Sequence, residues 1–141
     1  MADKLVVRLK NQLPEVARLA ELVDRFGACN GLAEGLIYNV NLCLDELITN
    51  TISYGYDDHR EHIIAVQVML ENCVLRTVLE DDARAFNPFD AEPPNLARSV
   101  EERAIGGLGV HFVRTLMDEV SYRRTSSGNR VELTKRLDTG G

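Results

Sequence analysis

Cysteine is scarce and odd in number in this chain of 141 residues. Its three copies, Cys29, Cys43 and Cys73, are widely spaced and form no CxxC pair. Neither a disulfide framework nor a zinc cluster follows from that spacing, and the thiols read as small core residues of a reducing compartment. Cations are outnumbered, with 16 Lys and Arg against 22 Asp and Glu, a net charge of −6. A surface for the phosphate backbone needs clustered positive charge, so direct nucleic-acid binding is excluded from the expected functions. Long apolar runs are also missing. Stretches such as Ile63 to Val66 fall far short of the roughly 20 residues that span a bilayer. Met1-Ala2-Asp3-Lys4 lacks the charged-then-apolar plan of a signal peptide, so no membrane is expected and the location is cytoplasmic. There is no internal repeat and no low-complexity tract. What is present, 45% hydrophobic and 27% charged residues, is enough to build one globular domain with a real core.

The pattern along the chain places its elements. Leu5, Val7 and Leu9 alternate with Lys4, Val6 and Arg8, which predicts a strand over Asp3 to Lys10. Pro14 suits a helix's first turn, and Val16, Leu19, Leu22, Val23 and Phe26 recur at helical spacing until the Gly27 region stops them. A longer helix is predicted from about Gly31 to Ser53, with an apolar stripe of Leu32, Leu36, Val40, Leu44, Leu47 and Ile48. Ile63 to Leu70 and Cys73 to Glu80 read as an antiparallel hairpin turning at Glu71-Asn72. Asp81 to Ile105, interrupted by Pro88, Pro93 and Pro94, reads as a long binding loop or lid. A helix follows Gly106-Gly107-Leu108-Gly109. Val120 to Arg124 and Arg130 to Leu137 form a second hairpin around Ser126-Ser127-Gly128-Asn129. This order lacks βαβα alternation. It predicts an α+β two-layer sandwich, a mixed, mostly antiparallel sheet with helices on one face.

Three segments carry residues suited to chemistry. Glu46 and Asn50 lie four apart on one face of the second helix, and Asn39 and Cys43 extend that face backwards. A carboxylate there can take a proton from a hydroxyl, and an amide oxygen is a hard ligand for Mg²⁺, although a merely solvated face has the same pattern. Glu80-Asp81-Asp82 ends a strand, where a carboxylate can accept a bond from an exocyclic amine or simply form a turn. The glycines at 106, 107 and 109 precede a helix, whose free N–H groups can cradle phosphate, or they form a hinge. Asp57, Asp58, His59 and His62 read as a polar turn rather than a metal site, since no further ligands complete a coordination sphere. His111 reads as a polar residue near a helix start. Cys43 has no neighbouring cation to activate it.

Taken in order, three boxes resemble the N, G1 and G2 boxes of the GHKL ATPase superfamily. They are Asp45-Glu46-Leu47-Ile48-Thr49-Asn50, Glu80-Asp81-Asp82-Ala83-Arg84-Ala85-Phe86-Asn87-Pro88 and Gly106-Gly107-Leu108-Gly109-Val110-His111-Phe112-Val113-Arg114. Within it, the chain is most similar to the RsbW-type anti-sigma factor serine/threonine kinases, and Leu116-Met117-Asp118-Glu119-Val120 extends the likeness. The resemblance implies a single histidine-kinase-like ATPase domain of Bergerat fold over residues 1–141, with an ATP lid at about 88–106. It implies ATP and Mg²⁺ as ligands, with Asn50 holding the metal and phosphate, Asp81 reading adenine beside Ala83, and Gly107, Leu108, Gly109 and Val110 near the phosphates. Glu46 becomes the base that activates a serine of a STAS-type anti-anti-sigma protein. A sigma factor is the second implied partner, and a homodimer the implied working form. Ala83 and Ala85 stand where the family often carries Gly, Tyr54 where it often carries His, and Asn129 where it often offers Thr. The alternative is therefore a nucleotide-weak binding module of the same fold that sequesters a regulatory protein.

Overall fold

A computed structural model describes residues 4–90 and 107–137 of the chain. Strand β1 (Lys4–Lys10) buries Val7 and Leu9 and leaves Lys4, Val6, Arg8 and Lys10 exposed, as the alternation predicts. Helix α1 (Pro14–Cys29) begins on its proline, whose missing N–H costs nothing in a first turn. Glu15 ties this start to the preceding strand by accepting the Lys10 N–H at 3.0 Å and the Arg18 Nε–H at 2.7 Å. Gly27 does not stop the helix. It lies inside it and buried, because any Cβ there would collide with the Ile37 side chain.

Helix α2 (Glu34–Tyr54) starts three residues later than its pattern predicts, leaving Leu32 in the connection. Its apolar stripe is wider than expected, since Ile37 and Cys43 are buried alongside Val40, Leu44, Leu47 and Ile48. Cys43 thus belongs to the core and not to a wet face. The other two thiols depart from expectation in the opposite direction, for Cys29 and Cys73 are both exposed.

Strands β2 (Ile63–Glu71) and β3 (Val74–Asp81) form the first hairpin. The tight turn falls on Asn72 and Cys73, with φ of 48° and 64°. Two positive-φ residues are what a type I′ turn requires, so Cys73 serves the turn instead of opening the strand. Helix α3 (Gly107–Leu116) and the second hairpin, β4 (Glu119–Thr125) with β5 (Gly128–Arg136), complete the described elements. Most of the expected lid lies outside the described residues; Pro88–Asp90 forms a short 3-10 turn at its start.

The strands make one five-stranded sheet in the order β1-β2-β3-β5-β4. Every neighbouring pair is antiparallel, so the sheet is not mixed among the described residues. Register aligns inner-face rows such as Val7, Val66, Leu79, Val131 and Tyr122 across all five strands. Against these rows pack Leu19, Val23 and Phe26 of α1, Val40, Leu44 and Ile48 of α2, and Val113 of α3. The outer face carries ion pairs instead, Arg76 to Glu132 at 3.0 Å and Arg130 to Glu80 at 3.3 Å. One apolar face and one charged face give the two-layer α+β sandwich expected from the order of elements. Among the described residues no helix is long and apolar enough to cross a membrane.

Gly128 opens β5 at φ +152°, and a Cβ there would run into the Asp81 carbonyl of the neighbouring strand. Gly128→Ala should therefore cost about 2 kcal/mol or more, as strain and steric overlap act together. Urea denaturation monitored by circular dichroism measures this, and an unchanged midpoint would refute the constraint.

Candidate functional site

The inner face of the sheet turns from apolar to polar in its last row. Period-two alternation that places Leu79 and Val131 in the core places Asp81 and Asn129 on the same face one row further out. Arg124 of β4 continues this row opposite Asn129. Asn129 is 6% exposed. Its Nδ2 donates to Asp81 Oδ1 at 2.9 Å, and its Oδ1 accepts from the Tyr122 hydroxyl at 2.6 Å and from Arg124 Nη1 at 3.1 Å. Asp81 Oδ1 also accepts the Ala83 N–H at 3.0 Å. Burial pushes the Asp81 carboxyl above its ordinary range, opposed by the bonds from Asn129 and Ala83 and by the Arg124 charge, while the Asp82 charge adds to the rise.

The chain after β3 folds back on the end of α2. Arg84 N–H donates to Gly55 carbonyl at 3.2 Å. The Ala83 methyl fits because residue 55 has no side chain: a Cβ at Gly55 would lie 2.8 Å from it and 2.6 Å from the Thr51 carbonyl oxygen. Ala83 and Ala85 are not among the positive-φ residues, so the turn made here needs no glycine at either position. Between α2, β3, β5 and this segment lies a cleft of about 280 Å³. Leu47, Leu79, Val131 and Pro88 supply apolar wall, Asn50, Thr51, Asp81 and Asn129 the polar groups, and the exposed rings of Tyr54 and Phe86 line it as well. A largely apolar concavity with a few convergent polar groups is the usual form of a small-molecule site.

Asn50 and Glu46 meet one turn apart on α2. Asn50 Nδ2 donates to Glu46 Oε1 at 3.1 Å. A carboxylate accepts only, so the amide nitrogen must face it, and Asn50 Oδ1 keeps no protein donor among the described residues. That oxygen is the kind of hard donor Mg²⁺ takes, so the residues present fit such an ion. Asn50, Asp81 and Ala83 therefore line one cleft, and Glu46 adjoins it through Asn50. Gly107, Leu108, Gly109 and Val110 form the first turn of α3, inside the helix rather than before it, and α3 packs against α2. Gly106 lies outside the described residues.

The match with known sequences follows the same plan. A family model described as a histidine kinase-like ATPase domain matches residues 9–135. The chain belongs to this family. Its curated relatives include a serine/threonine-protein kinase BtrW of Bordetella bronchiseptica, 28% identical over 70% of each chain. An anti-sigma F factor of Clostridium novyi is 28% identical over 72% of this chain and 71% of its own. A serine-protein kinase RsbW of Bacillus pumilus is 30% identical over 72% of this chain and 66% of its own. The GHKL-type resemblance of the three boxes is thus borne out at the level of family and fold.

In this ATPase domain the residue after Asp81 is held by a group that reads, in sequence, as a plain polar turn. His62 places Nε2 at 2.9 Å from Asp58 and Nδ1 at 3.0 Å from Asp82, while its ring stacks on Tyr56 with centroids 4.2 Å apart. Ionised carboxylates only accept, and both ring nitrogens donate to them at once only in the imidazolium form. Asp82 and then Asp58 accordingly raise the His62 pKa above 6.5, and His62 lowers that of Asp58. Among the described residues no group of three or more His, Cys, Asp or Glu side chains is arranged to hold a metal ion. Asn129, Gly55 and His62 are parts that the box pattern does not supply. The substitution of Asn for Thr at 129 is the one trace that the sequence gives of the first.

A raised histidine pKa contributes stability that is complete below pH 6.5 and is lost as pH rises through the folded value. The melting temperature should fall across that window in the wild type and change less in His62→Phe, which keeps the stacking and removes both ion pairs. Calorimetric melts at a series of pH values check this, and equal slopes in the two proteins would refute it.

Proposed function

We propose that this domain is an ATP- and Mg²⁺-dependent protein serine/threonine kinase that phosphorylates a serine of a STAS-type anti-anti-sigma protein and so regulates the availability of a sigma factor. The observation that carries the reading is convergence. Asn50, Asp81 and Ala83, distant in sequence, line one cleft whose apolar walls suit a flat base. The names of the relatives, serine-protein kinase and anti-sigma F factor, point the same way.

In this reading the whole chain is one domain, with its lid at about 88–106, and acts in the cytoplasm as a homodimer. Asp81 accepts a hydrogen bond from the exocyclic amine of adenine, beside Ala83. Asn50 offers Oδ1 to the metal, oriented by the bond from its own Nδ2 to Glu46. Mg²⁺, when bound, neutralises charge on the triphosphate. Gly107, Leu108, Gly109 and Val110 offer the N-terminus of α3 to the phosphates, since the first turn of a helix and its dipole favour anions. Glu46 accepts the proton of the acceptor hydroxyl as that oxygen bonds to the terminal phosphorus and the bond to the departing ADP breaks. Phosphoryl transfer asks mainly for positioning and charge neutralisation, and this constellation supplies both. The Ala83 methyl is accommodated against Gly55, which favours a working nucleotide site over the sequestering module.

Labelled ATP, Mg²⁺ and acceptor proteins recovered by co-purification test the reading. Asn50→Ala should abolish nucleotide binding in calorimetry. Glu46→Ala should retain it and slow transfer by roughly 10²- to 10⁴-fold, the usual share of a general base. Unchanged transfer would remove Glu46 from the mechanism, and the absence of heat and of any thermal shift at millimolar ATP with Mg²⁺ would remove the kinase reading.

A further inference from the structure

Asn129 lines the cleft and yet has nothing left to offer a ligand. Its Nδ2 faces three acceptors: Asp81 Oδ1 at 2.9 Å, the Arg84 carbonyl at 2.9 Å and the Ala83 carbonyl at 3.2 Å. Its Oδ1 faces the Tyr122 hydroxyl and the Arg124 guanidinium. Three oxygens on one side and a donor-only guanidinium on the other admit a single orientation of the amide. A buried amide with every bond made within the protein acts through its neighbours. The neighbour that matters is Asp81, whose Oδ1 takes both the Asn129 and Ala83 donors and whose Oδ2 has no protein donor among the described residues.

We propose that Asn129 is a positioning residue that pins Asp81 Oδ1 and leaves Oδ2 as the acceptor presented to the cleft, so that the pocket selects a base with an amine at that point over one with a carbonyl. The inference rests on the nucleotide reading above. An ionised, fixed carboxylate accepts from the amine of adenine and repels the carbonyl oxygen that guanine places there. A protonated or freely rotating carboxyl does neither with the same force, because its O–H can donate to the carbonyl. Asn129 guards against that outcome, since its donor opposes the burial that drives Asp81 toward its neutral form. The charges bearing on Asp81 are Asp82, which works with burial, and Arg124, which works against it; the Tyr56 phenol, itself pushed up by burial and by Asp81 and Asp82, stays neutral. Asn129 also ties Asp81 to the carbonyls of Ala83 and Arg84, so one side chain sets both the carboxylate and the segment next to the base.

The test uses the full chain and Asn129→Asp, which keeps the shape of the side chain and removes the donor. Calorimetry with Mg·ATP and Mg·GTP at pH 7.5 should show ATP affinity lower by about tenfold or more, the usual worth of a hydrogen bond to a charged group, and a smaller preference over GTP. As pH falls toward 5.5 the variant should regain ATP affinity, because a proton shared between Asp81 and the introduced carboxyl restores a donor. The wild type, which has no second carboxyl to hold a shared proton, should show no such gain, and should lose affinity once the pH is low enough to protonate Asp81. A merely structural role does not invert the sign of a pH dependence. Asn129→Ala, which removes the donor and adds no charge, decides the matter by affinity and base preference at pH 7.5 if the first variant does not fold. A nucleotide-free titration of the Asp81 carboxyl carbon by NMR should move upward in either variant. Wild-type protein that binds no ATP overturns the nucleotide reading, and with it the base selection. Variants that match the wild type in affinity and base preference, or an Asp81 titration that does not move, overturn the role of Asn129 alone.

Discussion

A carboxylate at the border between an apolar sheet face and water is the constraint around which this domain is arranged. Asp81 falls on the inner face because the alternation of β3 puts Leu75, Thr77 and Leu79 there first, and it is close enough to the core for burial to raise its pKa. A group in that position has to be compensated. The compensation comes from the strands beside it, through Asn129 and Arg124, and from the backbone of the segment that follows, through the Ala83 N–H. Those same contacts fix the wall of the cleft. Stability and site geometry are thus served by one set of hydrogen bonds.

Much of this was legible in the sequence, for identifiable reasons. Pro14, the alternation of β1 and the two β-branched hairpins are local signals, and they place their elements within a few residues. The N, G1 and G2 boxes hold Asn50, Asp81 and the glycines of α3 in a fixed order, which is why the family could be named from sequence. What failed depended on partners distant in the chain. Gly27 looks like a helix stop until Ile37 of the neighbouring helix is seen to need its space. Cys43 sits on the helix face that seems polar in one dimension, yet it is packed in the core. Asn129 reads as a simple departure from Thr, because the partnership with Asp81 exists only once β5 has paired with β3.

Residues 83 and 55 make the same point about packing. An alanine in the G1 box reads in sequence as an obstruction beside the base. The fold instead gives its methyl a place against a helix end that carries no side chain. Whether a substitution harms a pocket is decided by what stands behind it as much as by what stands in front.

The histidine clasp has a further consequence for the proton balance of folding. Asp81 and His62 flank Asp82, one by sequence and the other by its ion pair, and both hold a proton more firmly in the fold than in the open chain, Asp81 through burial and His62 through the carboxylates of Asp82 and Asp58. Folding therefore takes up protons at both, and alkali works against the folded chain at each. An acid and a base, which ordinarily answer pH in opposite senses, are thus made to pull the same way by one short stretch of backbone.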